Sequence, residues 1–385
     1  LATAGNYTGS YSLKNDKYEI YYGDIMLMFD RTFAEKYNVS ANAGWSARQE
    51  NQYDTSVGTR GGLSVENWFH LNSSGLTPAN PGMKKASLLK QAFFATASFG
   101  YDSWAYVEGT VRQEKSSTLA PGSNTFVYPS VNGSIIYSSL LKDLNPSWLD
   151  YGKIRLSYGV VGNAPELYRA ATGYNQSAVG SYIYNQVPQS LGNNEIQPEQ
   201  KYEFELGWEN KFLGNRLGFE LSFYSNVVKD QILQTTTSAS SGGTSILMNV
   251  GELKNRGVEM SLYGTPIQTK DFSWDLSLTF AYNKGIVVDL PDNGEEKNRV
   301  GGNFIYDPAT GGTKKVGGIA EGEKFGGRWA FHYLGTYQTE EEAAKAPNDP
   351  NAQGRKKHAG DAIFEDVNND GQLDSKDMKF MGYIR

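Results

Sequence analysis

The sequence predicts an all-β fold: part of a large antiparallel transmembrane β-barrel, with about ten strands visible and long outer loops. Segments of about ten residues alternate apolar and polar side chains, the length a spanning strand needs. The connections between these segments alternate short and long. Composition leans the same way: aromatics make up 13% of 385 residues, with 25 Tyr, 18 Phe and 43 Gly, a mixture that favours strands over helices.

The strands fall, in order, at 18–30, 38–50, 91–101, 104–115, 126–138, 152–162, 201–211, 217–228, 256–265 and 273–284. Successive side chains of a strand point to opposite faces, so alternation demands one apolar and one polar environment. Trp274, Leu276, Leu278, Phe280 and Tyr282 share one parity; Asp275, Ser277, Thr279 and Ala281 share the other. Leu217, Phe219, Leu221 and Phe223 oppose Gly218, Glu220, Ser222 and Tyr224. Ile154, Leu156, Tyr158 and Val160 oppose Lys153, Arg155, Ser157 and Gly159. Lipid outside and a wet lumen inside supply both environments; a soluble sandwich strand shows the same two faces. Aromatics at or near strand ends (Trp45, Tyr101, Trp104, Trp148, Tyr151, Phe212 and Trp274) suit interfacial girdles.

The connections 31–37, Asp102–Ser103, 139–151, 213–215 and 266–272 are the shorter set. Those at 51–90, 116–125, 163–200, 229–255 and after 284 are the longer set. Outer-membrane barrels have short periplasmic turns and long outer loops, which puts the second set outside the cell. Two domains result: 1–284 as barrel strands, and 285–385 as one large outer excursion. Within it, 325–338 could form a further strand, and 339–347 reads as a short helix ending at Pro347. Loop 163–200 carries Tyr168, Tyr174, Tyr182 and Tyr184 among Asn and Gln. Such residues serve recognition, or they pack the loops on one another.

Several function classes are excluded or disfavoured. No run of 18 apolar residues offers a transmembrane helix. Without cysteine there is no disulfide, zinc-thiolate site or cysteine nucleophile. A net charge of −6 with no basic block disfavours nucleic acid. His70, His332 and His358 are widely spaced, unlike metal-ligand pairs. Glu203 and Glu205 share a strand face, which polar lumen lining explains more simply than a glycosidase pair. No catalytic site is expected.

One motif does carry chemistry. Asp366-Val367-Asn368-Asn369-Asp370-Gly371-Gln372-Leu373-Asp374-Ser375-Lys376-Asp377 matches the twelve-residue calcium loop. Asp366, Asn368 and Asp370 would give side-chain oxygens, Gln372 its carbonyl, and Asp377 would close the loop, with Leu373 in a core. A structural Ca²⁺ would rigidify this outer loop; the alternative is an Asx-rich turn without metal.

Longer phrases go beyond periodicity. Arg112 followed by Ser116-Ser117, then Tyr128-Pro129-Ser130, resembles a stretch of SusC/RagA-type TonB-dependent transporters. So do Lys153 through Asn163, Pro198-Glu199, Asn249 through Glu259, Gly322 through Gly335, Gly360-Asp361 and Asp366 through Gly371, in the same order over roughly 90–385. The resemblance implies a barrel of about twenty-two strands with an N-terminal plug. It implies TonB-powered uptake of oligosaccharides or peptides across the outer membrane of a Gram-negative bacterium, with a SusD-like surface lipoprotein as partner. Plug, TonB-contact segment and closing C-terminal strands are not found in these residues, so the chain is expected to be a barrel fragment. Such a fragment needs the missing strands, because open edges are costly in lipid. A passive porin or barrel adhesin is the alternative function; a soluble β-rich glycan-binding protein is the second.

Overall fold

The computed structural model describes residues 9–76, 82–144, 146–180, 182–292, 298–350 and 355–383. Ten strands form one sheet in chain order: β1 Ser12–Phe33, β2 Tyr37–Gly58, β3 Gly82–Tyr101, β4 Ala105–Ser116, β5 Thr125–Ile135, β6 Leu149–Asn163, β7 Glu199–Phe212, β8 Leu217–Lys229, β9 Glu252–Gln268 and β10 Ser273–Asp289. Each coincides with a segment that alternation picks out. Antiparallel pairing joins β1 through β5 in sequence, and β7 through β10 likewise.

Tight turns follow from local chemistry. Asp102 (φ 46°) and Ser103 (φ 61°) both take the left-handed conformation, and the Trp104 N–H closes the turn on the Tyr101 carbonyl at 3.1 Å. That geometry matches the twist of the flanking strands. Leu213, Gly214 and Asn215 turn in the same region, and 269–272 is equally short, with the Thr269 N–H on the Phe272 carbonyl at 2.7 Å.

Two compact units make up the chain. The first is Leu1–Leu140, Gly159–Pro198 and Thr236–Leu247; the second is Leu141–Tyr158, Glu199–Thr235 and Met248–Arg385. In the first, register keeps like with like across four strands. Ala41 faces Ala97 on β3, Ala97 faces Gly109 on β4, and Gly109 faces Val131 on β5. The next residues give Asn42, Thr96, Thr110 and Ser130 in the same way. A one-residue slip at any pairing would mix these faces. In the second unit Phe219 faces Leu262, which faces Leu278, while Glu220 faces Ser261, which faces Thr279. The apolar side is not a protein core: Leu278, Phe280 and Tyr282 are all more than half exposed.

The structure corrects three boundaries. Residues 51–58 and 82–90, expected in a loop, are strand. They lie past the apolar stretch, where Gln49 and Gln91 follow Trp45 and Phe93 on that face, so no hydrophobic period marks them. Trp45 is not at a strand end; it sits inside β2, opposite Ile25 and Phe93. The helix expected over 339–347 is only Glu340–Ala343, with Thr339 Oγ1 accepting the Glu342 N–H at 3.2 Å.

Residues 325–338 split into two short strands, and neither joins the ten-stranded sheet. Gly327–Phe331 pairs with Met378–Tyr383, and Tyr333–Thr336 with Ala362–Phe364. Asn303–Asp307 pairs with Gly312–Val316. The excursion thus has substructure, with Ile305, Val316, Ala320, Tyr337, Ala343 and Leu373 buried.

Candidate functional site

On the polar face of the second unit, side chains from β6 to β9 line a depression of about 500 Å³. Its centre is Arg155. One guanidinium nitrogen donates to Glu220 at 2.6 Å; another donates to Glu205 at 3.1 Å and to Ser222 Oγ at 2.8 Å. This spans three strands, and Gly207 makes it possible: a Cβ there would overlap the Arg155 side chain. The same device recurs where the Tyr224 ring covers Gly257. Glu203 is held by Lys201 at 2.5 Å and by the Asn226 amide at 3.2 Å. Glu203 and Glu205 are therefore each engaged by a cation. Alternation places Arg155 on the polar parity, but its partners depend on cross-strand register, which local patterning does not carry.

The loop at 366–377 is drawn tight by its own side chains. Asp366 accepts the N–H groups of Asp370 at 3.2 Å and Gly371 at 2.9 Å. Asn368 accepts the Asp370 N–H at 3.1 Å, and Asp370 accepts that of Gln372 at 2.8 Å. Asp377 is fully buried and accepts two backbone donors, Val367 and Asp374, both at 2.9 Å. Leu373 is buried as expected. The Gln372 segment is bridged to Asn348, whose N–H donates to the Gly371 carbonyl at 2.9 Å. Among the described residues, no three His, Cys, Asp or Glu side chains already converge as a metal site. The oxygens are nonetheless hard donors of the kind Ca²⁺ takes, and each carboxylate that accepts an N–H retains a further lone pair.

Nearby, Glu340 fastens the segment 358–361. It accepts the Ala359 N–H at 3.1 Å and pairs with His358 at 3.1 Å. The Ala359 N–H and the His358 side chain hold its carboxyl below the usual glutamate range. A depressed carboxyl stabilises the fold above its unfolded value, near ~4.3, and loses that contribution as pH falls through its folded value. The protection of the Ala359 amide, its exchange compared with that of an unstructured amide at the same pH, should therefore fall below about pH 4. Glu340→Gln should flatten that pH dependence, and an unchanged profile in the variant would refute the assignment.

In the first unit, loop 163–198 carries a hairpin of Asn175–Val179 and Tyr182–Gln186. Tyr174, Tyr182 and Tyr184 are exposed, and among the described residues no ring contact joins them. Tyr168, at φ 65°, instead turns back so that its hydroxyl accepts the Ser87 N–H at 3.2 Å. Tyr168 thus ties its loop to β3, while Tyr174, Tyr182 and Tyr184 stay exposed.

A family model for the TonB dependent receptor-like β-barrel matches residues 2–361. The chain belongs to that family. TonB-dependent receptor P3 of Formosa agariphila is 25% identical over 369 residues, 92% of this chain and 35% of the relative. TonB-dependent receptor SusC of Bacteroides thetaiotaomicron is 25% identical over 283 residues, 66% of this chain and 28% of that protein. The chain thus spans about a third of the length of these relatives. Among solved structures, the RagAB peptide transporter superposes with a TM-score of 0.66 at 20% identity, over 96% of this chain and 38% of that one. The relatives named TonB-dependent receptor and SusC agree with the family that the sequence phrases resemble.

Proposed function

We propose that this chain is the wall and outer-loop portion of an outer-membrane importer of a Gram-negative bacterium. TonB energises it through a plug contributed by other parts of the polypeptide, and a SusD-like surface lipoprotein works with it. Its cargo is an oligosaccharide or a peptide, and it performs no covalent chemistry. The observation that carries this reading is the segregation of faces through successive registers. An apolar face remains exposed on the folded sheet while the opposite face is knit by ion pairs, as lipid outside and water inside require. Membership of the TonB-dependent receptor family supports active import over a passive pore or an adhesin.

Two measurements test it. In the parent organism, loss of TonB should abolish cargo uptake through the intact transporter as fully as loss of its own gene; uptake that persists without TonB defeats the proposal. Spin labels at Leu221 and Leu278 of the full-length protein should sense oxygen-rich acyl chains, and labels that report water or tight protein burial defeat the lipid-facing assignment.

We also propose that Asp366, Asn368, Asp370, the Gln372 carbonyl and Asp377 bind a structural Ca²⁺ in the outer excursion. The spacing and the hard-oxygen donors support it. Chelation should raise protease cleavage within 361–382, and added Ca²⁺ should reverse it. Cleavage unaffected by chelator, with no calcium by elemental analysis, refutes the site.

A further inference from the structure

The geometry points to an uncharged oligosaccharide as the cargo met by the outer loops of the first unit; this rests on the importer reading and narrows it. The chain holds 36 Lys and Arg and 42 Asp and Glu, yet Ala170–Asn194 and Thr236–Leu247 contain none of them, and no His. At the chain's own frequency of 20% charged residues, about seven would be expected across the two stretches.

The fold brings these stretches together. Ser190 and Leu191 pair in parallel with Ser245 and Ile246. The Thr244 N–H donates to the Gln189 carbonyl at 2.8 Å, and the Asn193 amide to the Leu247 carbonyl at 3.0 Å. In the hairpin, Tyr182 lies opposite Val179 and Tyr184 opposite Ser177. All four therefore share one face, and Tyr182 is 80% exposed. Asn175 and Gln186, the next pair outward, add amide donors and acceptors.

A pyranose ring has an apolar C–H face and a rim of hydroxyls. Aromatic faces flanked by neutral amides and hydroxyls meet both needs. A carboxylate, sulfate or ammonium would lose water against a hairpin face that carries no charged side chain of its own, a net cost. An isolated two-stranded hairpin is also marginal in water, so a ring stacked on its tyrosine face would help order it.

The experiment uses the full-length transporter in detergent and calorimetric titration with defined probes. These are hexaoses of glucose, mannose and xylose, a hexamer of galacturonate, and hexapeptides bearing Lys or Glu. At least one neutral hexaose should bind, with an affinity unchanged between about 50 and about 500 mM NaCl. Replacing Tyr182 and Tyr184 together by Ala should weaken it at least tenfold, while the paired Phe variant retains most of it. Binding of charged probes alone, or no neutral hexaose bound, overturns the inference. So does an Ala variant that binds like wild type, including one that loses only its co-purifying lipoprotein, which would make this a protein-docking face. TonB-dependent uptake of peptides alone would overturn this inference and leave the importer standing. Hexaose binding without TonB-dependent uptake would do the reverse.

Discussion

Ala97→Arg is expected to destabilise the full-length protein by about 2–4 kcal/mol, the cost of a cation near the middle of a lipid-facing barrel strand. Ala97 lies between Ala41 and Gly109 in its row of the sheet. Phe99 and Ala95 are the next residues on its face, so its own strand offers no carboxylate there to offset an arginine. The neighbouring position is the control. Thr96 sits between Asn42 and Thr110 on the polar side, and Thr96→Arg should cost no more than about 1 kcal/mol there. The comparison is the midpoint of urea unfolding for both variants in the same bilayer. Equal shifts would mean that the two faces meet the same solvent, and the barrel assignment would fall.

Asp377→Ala should open the outer loop at 366–377. Both carboxylate oxygens accept backbone N–H groups, from Val367 and Asp374, and the side chain has no exposure. Removing the acceptors strands two donors, each worth roughly 1–3 kcal/mol when fully buried. Because Val367 and Asp374 are themselves only half-buried, a combined loss of about 2–3 kcal/mol is the reasonable scale. Asp377→Asn keeps one acceptor and should lose roughly half as much. Amide exchange of Val367 and Asp374 reads the effect directly, in calcium and in chelator. Exchange as slow in Asp377→Ala as in the wild type would show that the buried carboxylate does not hold the loop.

The ten strands were legible because each meets two different solvents, and a period of two records that contrast residue by residue. Legibility ended where the contrast ended. Past Trp45 and Phe93 both faces are wet, so the outward reach of β1, β2 and β3 left no mark in the hydrophobic pattern. The strands inside the excursion run for two to six residues, too few for alternation to show. The Arg155 bridge needs the register of three strands and the missing Cβ of Gly207, a conjunction that no local window contains. The loop at 366–377 was legible as a tight turn for the opposite reason: its donors and acceptors lie within twelve residues, so spacing alone pointed to the buried Leu373.

The outward reach of the first strands has a further consequence. From Ser46 to Gly58, β2 stays paired with both of its neighbours for most of that length, a run of about 40 Å at ~3.3 Å per residue. The chain that continues past Gly58 thus stands on a paired, stiff ledge. A segment carried this way has less conformational freedom left to lose when something binds at its tip, which is the general advantage of preorganisation.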